Sequence, residues 1–239
     1  MDEYIVKLND ICDKYNICKS HGIDHAIAVM NNVQKALDVS IFNLNENEKK
    51  SVLLAGLLHD IDDRKFFPMN KNFENVNIIL ENEDLDIKNL VIQMVDLVSV
   101  SKNKDNIPNY VIGKEWMLYP RYADRLEAMG LIGIERCFTY SLTSNNPLYI
   151  DKTIRITDET ELYKIATKER YESYYGNSDS MIDHYYDKLI YFSKFPIYNT
   201  FFEDESKKRI KPLIDFVLYF GKRGILSNND VYNFINQYK

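Results

Sequence analysis

Apolar residues recur at steps of three and four positions along nearly the whole of this 239-residue chain. Near the N-terminus, Ile5, Leu8, Ile11 and Cys12 keep this spacing within residues 4–17. Such spacing places apolar side chains on one face of a helix. The same pattern continues in the runs 24–39, 72–82, 87–101, 114–129, 131–142, 158–174, 179–194, 206–221 and 228–237. We therefore predict an all-α fold, a bundle of roughly ten helices.

The alternation of apolar and polar residues that indicates β-strands is almost absent. The segment TIRIT at 153–157 is the one tempting exception. The stretch 143–157 around it lacks helical spacing, and we expect it to form a long loop, a kind of segment that often carries function. Because no internal repeat, low-complexity tract or flexible linker interrupts the chain, we predict a single domain over residues 1–239.

Composition narrows the class of function. A formal charge of −6 argues against broad nucleic-acid binding, which requires basic surface. No apolar stretch approaches the roughly 20 residues that cross a bilayer, and the N-terminus MDEYIVKLND lacks the features of a signal peptide. We expect a cytoplasmic protein with neither nucleic-acid nor membrane partners. Cys12, Cys18 and Cys137 form no CxxC pair and predict reduced core thiols.

Three of the four histidines fall in two short stretches, HGIDH and LLHDIDD. Imidazole is the commonest side-chain ligand of transition metals. In the second stretch an apolar helical run ends in His59, Asp60, Asp62 and Asp63. Burying unpaired carboxylates beside leucines is costly, and a bound cation would remove that cost. The alternative interpretation is a solvated helix end.

The first stretch places His21 and His25 four residues apart, which on a helix is one face. Because Gly22 lies between them, we expect His21 at the helix start with its side chain turned toward a substrate, and His25 as the stronger metal ligand. The helix that leads to the second stretch is predicted to begin with a capping box formed by Asn45 and Glu48.

A further carboxylate is expected from a distant helix. Asp124 stands among small and apolar residues in PRYADRLEAMGLIGIE, with Ala123 before it and Ala128 one turn later. These neighbours favour a carboxylate that faces inward. The alternative is an ion pair with Arg121 or Arg125.

The order and spacing of these residues resemble a known signature. The pattern resembles the H…HD…D signature of the HD-domain metal-dependent phosphohydrolase superfamily. It consists of His25, then His59 with Asp60, then Asp124, at separations of 34 and 64 residues. That superfamily is all-helical and holds a divalent ion with these four side chains.

The resemblance extends over most of the chain to one branch, the small bacterial HD proteins of the YpgQ and YedJ type. Its motifs are similar to HGIDH, LLHDIDDRKF, RYADRLEAMGLIGIERCF and DHYYDKLIYF, with Thr200 beyond. Some members of this branch resemble nucleoside triphosphate pyrophosphohydrolases. Two positions depart from the branch, because Gly22 and Tyr122 stand where it usually has aspartate.

The resemblance implies a set of site residues. One divalent ion would be held by four ligands, His25, His59, Asp60 and Asp124. Manganese is favoured, while Mg²⁺, Co²⁺, Ni²⁺ and Fe²⁺ also suit nitrogen and oxygen ligands. Asp63 would orient or deprotonate the attacking water, and Lys65 would neutralise phosphate charge. The side chains implied to contact the substrate are His21, Arg125, His184, Tyr185 and Lys188. From the residues alone, two alternative interpretations stay open. Asp63 could mark a solvated helix end, and Lys65 and Lys188 could be exposed surface lysines.

The function that the resemblance implies is hydrolysis of a nucleotide, preferably of a nucleoside or deoxynucleoside triphosphate to the monophosphate and pyrophosphate. Two alternatives stay open: a nucleoside monophosphate phosphatase or phosphodiesterase on the same site, and an inactive nucleotide-binding module. The metal-site core would lie at about residues 20–130, and the helices of 158–239 would complete the substrate pocket. A homodimer is compatible with the sequence.

Overall fold

The computed structural model describes residues 1–18 and 21–238, apart from the side chain of Ser101. No β-strand occurs in these residues, TIRIT included, so the predicted all-α fold is confirmed. Thirteen α-helices lie in them: α1 Asp2–Lys14, α2 Ile23–Asp38, α3 Glu46–Leu58, α4 Glu74–Ile79, α5 Leu85–Val98, α6 Val100–Asn103, α7 Tyr119–Glu127, α8 Gly130–Thr143, α9 Glu159–Ile165, α10 Lys168–Ser173, α11 Met181–His184, α12 Thr200–Arg223 and α13 Asn228–Tyr238. They are joined by 3₁₀ turns at Asn109–Val111, Glu115–Leu118 and Tyr191–Ser193 and by a π-helical turn at Tyr185–Leu189. Of the helices described, none combines the length and apolar character needed to span a bilayer.

The helix α3 begins and ends where its sequence predicts. The Glu48 amide donates to Oδ1 of Asn45 over 2.9 Å, and the Asn45 amide donates to Oε2 of Glu48 over 2.8 Å, which is the predicted capping box. The helix ends at Leu58, and His59 is its C-cap. The HD dipeptide therefore lies in the turn that follows α3.

Four of the predicted helices are interrupted. The run 87–101 contains the break at Ser99 between α5 and α6, and the run 114–129 contains the 3₁₀ turn Glu115–Leu118 before α7. The run 158–174 comprises both α9 and α10, because Thr167 caps a new helix by accepting a hydrogen bond of 3.2 Å from the Arg170 amide. The run 179–194 passes from α-helix through the π-helical turn into a 3₁₀ turn. The predicted helix 206–221 is instead part of the longer α12. Apolar spacing continues across these breaks, so the spacing did not reveal them.

The chain divides into two compact units. The N-terminal unit comprises Met1–Asp124 and Ile197–Phe202, and the C-terminal unit comprises Arg125–Pro196 and Glu203–Lys239. Both α7 and α12 contribute residues to the two units. The single domain expected over 1–239 stays a prediction.

In the N-terminal unit, α3 packs against α2 and α5. Val33 on α2, Leu54 on α3 and Val91 on α5 have no exposed surface. Burial of such side chains contributes about 1.5–3 kcal/mol each. The side-chain amide of Asn199 donates to the Ala36 carbonyl over 2.9 Å and attaches the returning segment of this unit to the end of α2. The helices that approach the two histidine stretches are thus firmly packed.

In the C-terminal unit, the stretch predicted as a loop, 143–157, contacts α12. The guanidinium of Arg155 donates to the Gly221 carbonyl over 3.1 and 3.2 Å. A Cβ atom at Gly221 would lie 1.7 Å from the Ile156 carbonyl oxygen, so only glycine allows this close approach. The loop is therefore held in one conformation against the helix.

Candidate metal centre

Side chains from three parts of the N-terminal unit converge on one point. His25 lies in the first turn of α2, His59 and Asp60 follow α3, and Asp124 lies in α7. The two Nε2 atoms of the histidines are 3.2 Å apart. Oδ1 of Asp124 lies 3.3 Å from Nε2 of His25 and 3.6 Å from Nε2 of His59. Oδ2 of Asp60 lies 3.8 and 3.3 Å from the same two nitrogens. The structure thus brings together all four predicted ligands.

The three shorter separations, 3.2 to 3.3 Å, suit atoms bound to a single metal ion, and the other two, 3.6 and 3.8 Å, are longer than such an ion would set. Two ligand atoms bonded about 2.1 Å from one ion lie about 3.0 Å apart at a right angle and about 3.4 Å apart at the tetrahedral angle. The histidines and Asp60 form a group of donors close enough to share an ion. Imidazole nitrogen combined with carboxylate oxygen suits a divalent cation of hard or borderline character. The donor set therefore fits the kind of ion that the sequence predicts.

The centre is more enclosed on its histidine side than on its carboxylate side. The side chains of His25 and His59 are 4% and 1% exposed, whereas those of Asp60 and Asp124 are 22% and 25% exposed. An ion here would be held from within by the imidazoles and would face solvent beside the carboxylates.

The charge of the centre depends on the pairing of histidine with carboxylate. Burial opposes a charge on His59, but the carboxylates of Asp60 and Asp124 hold the pKa of this imidazole well above its usual value. Burial also opposes ionisation of the acids, and the imidazoles outweigh it. The pKa of Asp60 falls to about 2, and the pKa of Asp124 falls well below its usual value. Both carboxylates are thus ionised at neutral pH, the state that binds a cation.

A backbone contact orients the ring of His59. Its Nδ1 atom donates to the Gly56 carbonyl oxygen over 2.9 Å, because a carbonyl can only accept. Nε2 is therefore the nitrogen directed toward the other ligands. Metal-binding histidines commonly donate their second nitrogen in this way, which selects the tautomer and fixes the ring.

The turn after α3 holds Asp63 beside the centre. Because α3 has already ended, the Asp63 amide donates to the Asp60 carbonyl over 3.0 Å in a tight turn. The exposed side chain of Asp63 accepts a hydrogen bond of 2.8 Å from the Lys65 amide. Desolvation by the turn, aided by the charges of Asp60 and Asp124, raises the pKa of Asp63.

The rings of His21 and Phe66 lie next to the metal ligand His25. His21 precedes α2 and so does not share a helix with His25, yet the two rings are 6.3 Å apart. The ring of His21 lies 5.2 Å from that of Phe66, and its Nδ1 lies 3.2 Å from Sγ of Cys18. The ammonium of Lys65 is 5.2 Å from the centre of the Phe66 ring. His21 and Lys65, both predicted to act on the substrate, therefore contact the same aromatic side chain.

Asp62 serves as an anchor for the turn and is not among the converging ligands. Its Oδ1 accepts from the side chain of Asn70 over 2.5 Å and from the Asn75 amide over 3.1 Å, and its Oδ2 accepts from the Val76 amide over 2.9 Å. The Asn75 side chain donates in return to the Ile61 carbonyl over 2.8 Å. These bonds attach the turn to the start of α4. Nothing in the string HDIDD distinguishes this carboxylate from its neighbours.

The other four predicted substrate contacts lie in the C-terminal unit. The guanidinium of Arg125 and the ammonium of Lys188 both contact the ring of Phe192, at 4.6 and 4.9 Å from its centre. Burial, followed by the charge of Lys188, lowers the pKa of His184 to about 3, so this imidazole is neutral. Phe192 was not named among the predicted site residues, although it is the last residue of the motif DHYYDKLIYF and lies four residues after Lys188.

Tyr185 begins the π-helical turn and has no exposed surface. Its ring lies 5.5 Å from that of Phe216, and its hydroxyl has no hydrogen-bond partner among the residues that the structure describes. In this conformation the ring packs in the core of the C-terminal unit, so a contact of Tyr185 with substrate stays a prediction.

Comparisons with known proteins agree with this architecture. No protein-family model matches the chain. The uncharacterized protein L803 of Acanthamoeba polyphaga mimivirus is 34% identical over 233 residues, which cover 89% of this chain and 93% of L803. Among solved structures, a protein from Lactobacillus plantarum has a TM-score of 0.65 and 21% identity, covering 93% of this chain and 95% of its own. An HD-superfamily hydrolase from Bacillus thuringiensis has a TM-score of 0.61 and 19% identity, with coverage of 93% and 95%. The Lin1889 protein of Listeria innocua has a TM-score of 0.60 and 16% identity, with coverage of 95% and 98%.

The structural likenesses concern the fold, since their sequence identities are low, and the YpgQ and YedJ branch stays a prediction. The mimivirus relative, by contrast, matches along nearly the full length of both chains. The chain therefore belongs to the same family as mimivirus protein L803 and has the fold of an HD-superfamily hydrolase.

Proposed function

We propose that this chain is a divalent-metal-dependent phosphohydrolase that acts on nucleotides. The preferred reaction is hydrolysis of a nucleoside or deoxynucleoside triphosphate to the monophosphate and pyrophosphate. The observation that carries the proposal is the convergence on two imidazole nitrogens, 3.2 Å apart, of two carboxylates that each lie 3.3 to 3.8 Å from both nitrogens. The fold shared with a hydrolase supports hydrolytic chemistry, and the resemblance of the sequence motifs to the YpgQ and YedJ branch supports a nucleotide substrate.

The proposed ion, preferably Mn²⁺, would be held by His25, His59, Asp60 and Asp124. When bound, such an ion lowers the pKa of a coordinated water and withdraws charge from a phosphoryl oxygen. Water would attack the α-phosphorus, and the bond to the oxygen bridging the α- and β-phosphates would break.

The remaining roles fall to side chains near the ligands and in the C-terminal unit. Asp63 would take the proton of the attacking water, since its carboxylate is exposed in the turn that carries Asp60. Lys65 would neutralise charge on the departing pyrophosphate. The substrate contacts proposed from the motif resemblance are His21, Arg125, His184, Tyr185 and Lys188.

The experiment is product analysis with metal-stripped protein re-supplied with Mn²⁺. The substrates are a panel of nucleoside and deoxynucleoside triphosphates and monophosphates, and phosphate and pyrophosphate are quantified separately. We expect a monophosphate and pyrophosphate in equal amounts from a triphosphate. Release of orthophosphate from monophosphates would instead indicate the phosphatase reaction.

Two variants make the result specific to the centre. Asp60→Ala removes a proposed ligand and should abolish turnover. Asp10→Ala, which changes an exposed aspartate on α1 of the same unit, should leave turnover unchanged. Tight binding of a nucleotide without turnover, for wild-type protein with every divalent ion, would replace this proposal with a binding module.

A further inference from the structure

We propose that Gly56 is a positioning residue for the metal centre. Its lack of a side chain allows α3 to lie close enough to α2 for His59 and His25 to bind one ion, and its carbonyl orients the ring of His59. The inference rests on the metal site of the proposed function. It requires neither the nucleotide substrate nor the release of pyrophosphate.

Gly56 lies at the contact of α3 with α2. A Cβ atom at this position would be 2.8 Å from Cγ2 of Val33 and 3.4 Å from the backbone Cα of Met30. Val33 is completely buried, and a β-branched side chain on a helix has little freedom to rotate. A methyl group on Gly56 would therefore be accommodated mainly by moving the two helices apart.

The same two helices carry the paired imidazoles. His25 is part of α2, and His59 is the C-cap of α3, three residues after Gly56. Their Nε2 atoms are separated by 3.2 Å, which lies within the range of about 3.0 to 3.4 Å that an ion bound to both requires. A shift of α3 by several tenths of an ångström would exceed this range, so the contact between Gly56 and Val33 determines the span of the centre.

The carbonyl of Gly56 supplies a second link to the centre. The last four carbonyls of a helix have no partner within it, and Gly56 lies in the last turn of α3. Its oxygen instead accepts from Nδ1 of His59 over 2.9 Å. Movement at this residue would therefore change both the position and the orientation of the imidazole.

The direction of the expected effect separates this role from ordinary helix stability. Alanine is a better helix former than glycine, so Gly56→Ala would favour α3 if local conformation alone mattered. The packing at Val33 predicts the opposite for metal binding. Val33→Ala removes the atom that the new methyl group would meet, so Gly56→Ala with Val33→Ala should restore the approach of the helices.

The test is calorimetric titration of Mn²⁺ into the metal-stripped full-length chain. Wild type, Gly56→Ala, Val33→Ala and the double variant are compared, and the melting temperature of each is measured without metal. We expect Gly56→Ala to weaken Mn²⁺ binding by about tenfold or more, in the range seen for residues that support metal ligands. Val33→Ala should stay within about twofold of wild type, and the double variant should recover to within about threefold.

Each result decides between the possible roles. Unchanged Mn²⁺ affinity in Gly56→Ala, or a double variant as weak as Gly56→Ala, would overturn the inference. A change of melting temperature with intact Mn²⁺ affinity would mean a purely structural role and would also overturn it. If Gly56→Ala does not fold, a folded double variant that binds Mn²⁺ supports the inference, and one that fails to bind Mn²⁺ rejects it. If wild type itself binds no Mn²⁺, the proposed metal centre fails, whereas binding without nucleotide hydrolysis would reject only the substrate assignment.

Discussion

His59 in the N-terminal unit is buried and His184 in the C-terminal unit is half-buried, and the two differ in their affinity for a proton. Burial lowers the pKa of an imidazole in each case. Beside His59, the carboxylates of Asp60 and Asp124 outweigh burial and raise the pKa. Beside His184, the charge of Lys188 adds to burial, and the pKa falls to about 3. Burial acts in the same direction on both histidines, so the opposite signs of the neighbouring charges account for the difference between their pKa values.

The groups around the two histidines also differ. Around His59, carboxylate oxygens and imidazole nitrogens converge as donors for a cation. Near His184, the cationic side chains of Arg125 and Lys188 contact Phe192. The N-terminal unit thus presents a negatively charged cluster suited to a metal ion. The cationic cluster of the C-terminal unit is suited to an anion.

The largest expected effect comes from replacing the two histidines in turn. His59→Gln should weaken Mn²⁺ binding by more than about a hundredfold, because loss of a supporting residue alone costs about 10- to 100-fold. His184→Gln should keep the Mn²⁺ affinity of wild type within about twofold, since no carboxylate ligand contacts this imidazole. Titration calorimetry with Mn²⁺ measures both. Equal losses in the two variants would contradict the assignment of the metal to the N-terminal unit.

The next effect concerns the cationic cluster. Lys188→Gln should lower kcat/KM for a nucleoside triphosphate by about 10- to 100-fold, because a hydrogen bond to a charged group contributes about 1.5–3 kcal/mol. Its Mn²⁺ affinity should stay that of wild type. Steady-state kinetics at saturating Mn²⁺ provide the measurement. Lys152→Gln, which changes an exposed lysine in the loop of the same unit, serves as the control. A decrease of equal size in both variants would remove Lys188 from the substrate site.

A smaller effect is expected from the two aspartates that cap helices. Asp62→Ala should lower the free energy of unfolding by about 2–3 kcal/mol, because three donors lose their acceptor. Asp158→Ala removes a single exposed cap bond, from the Glu161 amide, and should cost about 0.5–1 kcal/mol. Urea unfolding followed by circular dichroism compares the two. If Asp62→Ala were the milder change, the turn after α3 would not depend on this anchor.

The smallest effect is a pH dependence that originates in His184. Its folded-state pKa of about 3 is below the usual value, so below about pH 6.5 the unfolded chain binds a proton that the folded chain does not. The contribution of the neutral His184 imidazole to the free energy of unfolding is therefore fully present above about pH 6.5 and is lost as the pH falls toward 3. Between about pH 6.5 and 5.5, wild type should lose about 1 kcal/mol more stability than His184→Gln. Parallel curves for the two proteins would contradict the lowered pKa.

Local sequence determined much of the helical architecture. The capping box of Asn45 and Glu48 and the end of α3 before His59 follow from neighbouring residues, and both were predictable. The interruption of the run 158–174 was not predicted, because apolar spacing continues across Thr167 while the break depends on the hydrogen bond that the Thr167 hydroxyl accepts from the Arg170 amide. The types of ligand were also predictable from the sequence, because histidine and aspartate at the end of an apolar helix need a partner, such as a bound cation, to offset the cost of burial.

By itself, then, the sequence determined an all-α chain and the chemical types of the ligands. The motif resemblance also named Asp60 and Asp124 as ligands, and the tertiary structure decided how closely these carboxylates approach the imidazoles. Asp60 and Asp62 are two residues apart in one acidic string, yet the first faces the histidines while the second accepts hydrogen bonds from Asn75 and Val76. The distance between ligands that are far apart in the chain depends on how closely α2 and α3 pack. Such packing is a property of side-chain volumes in contact, which the spacing of residues along one chain does not encode.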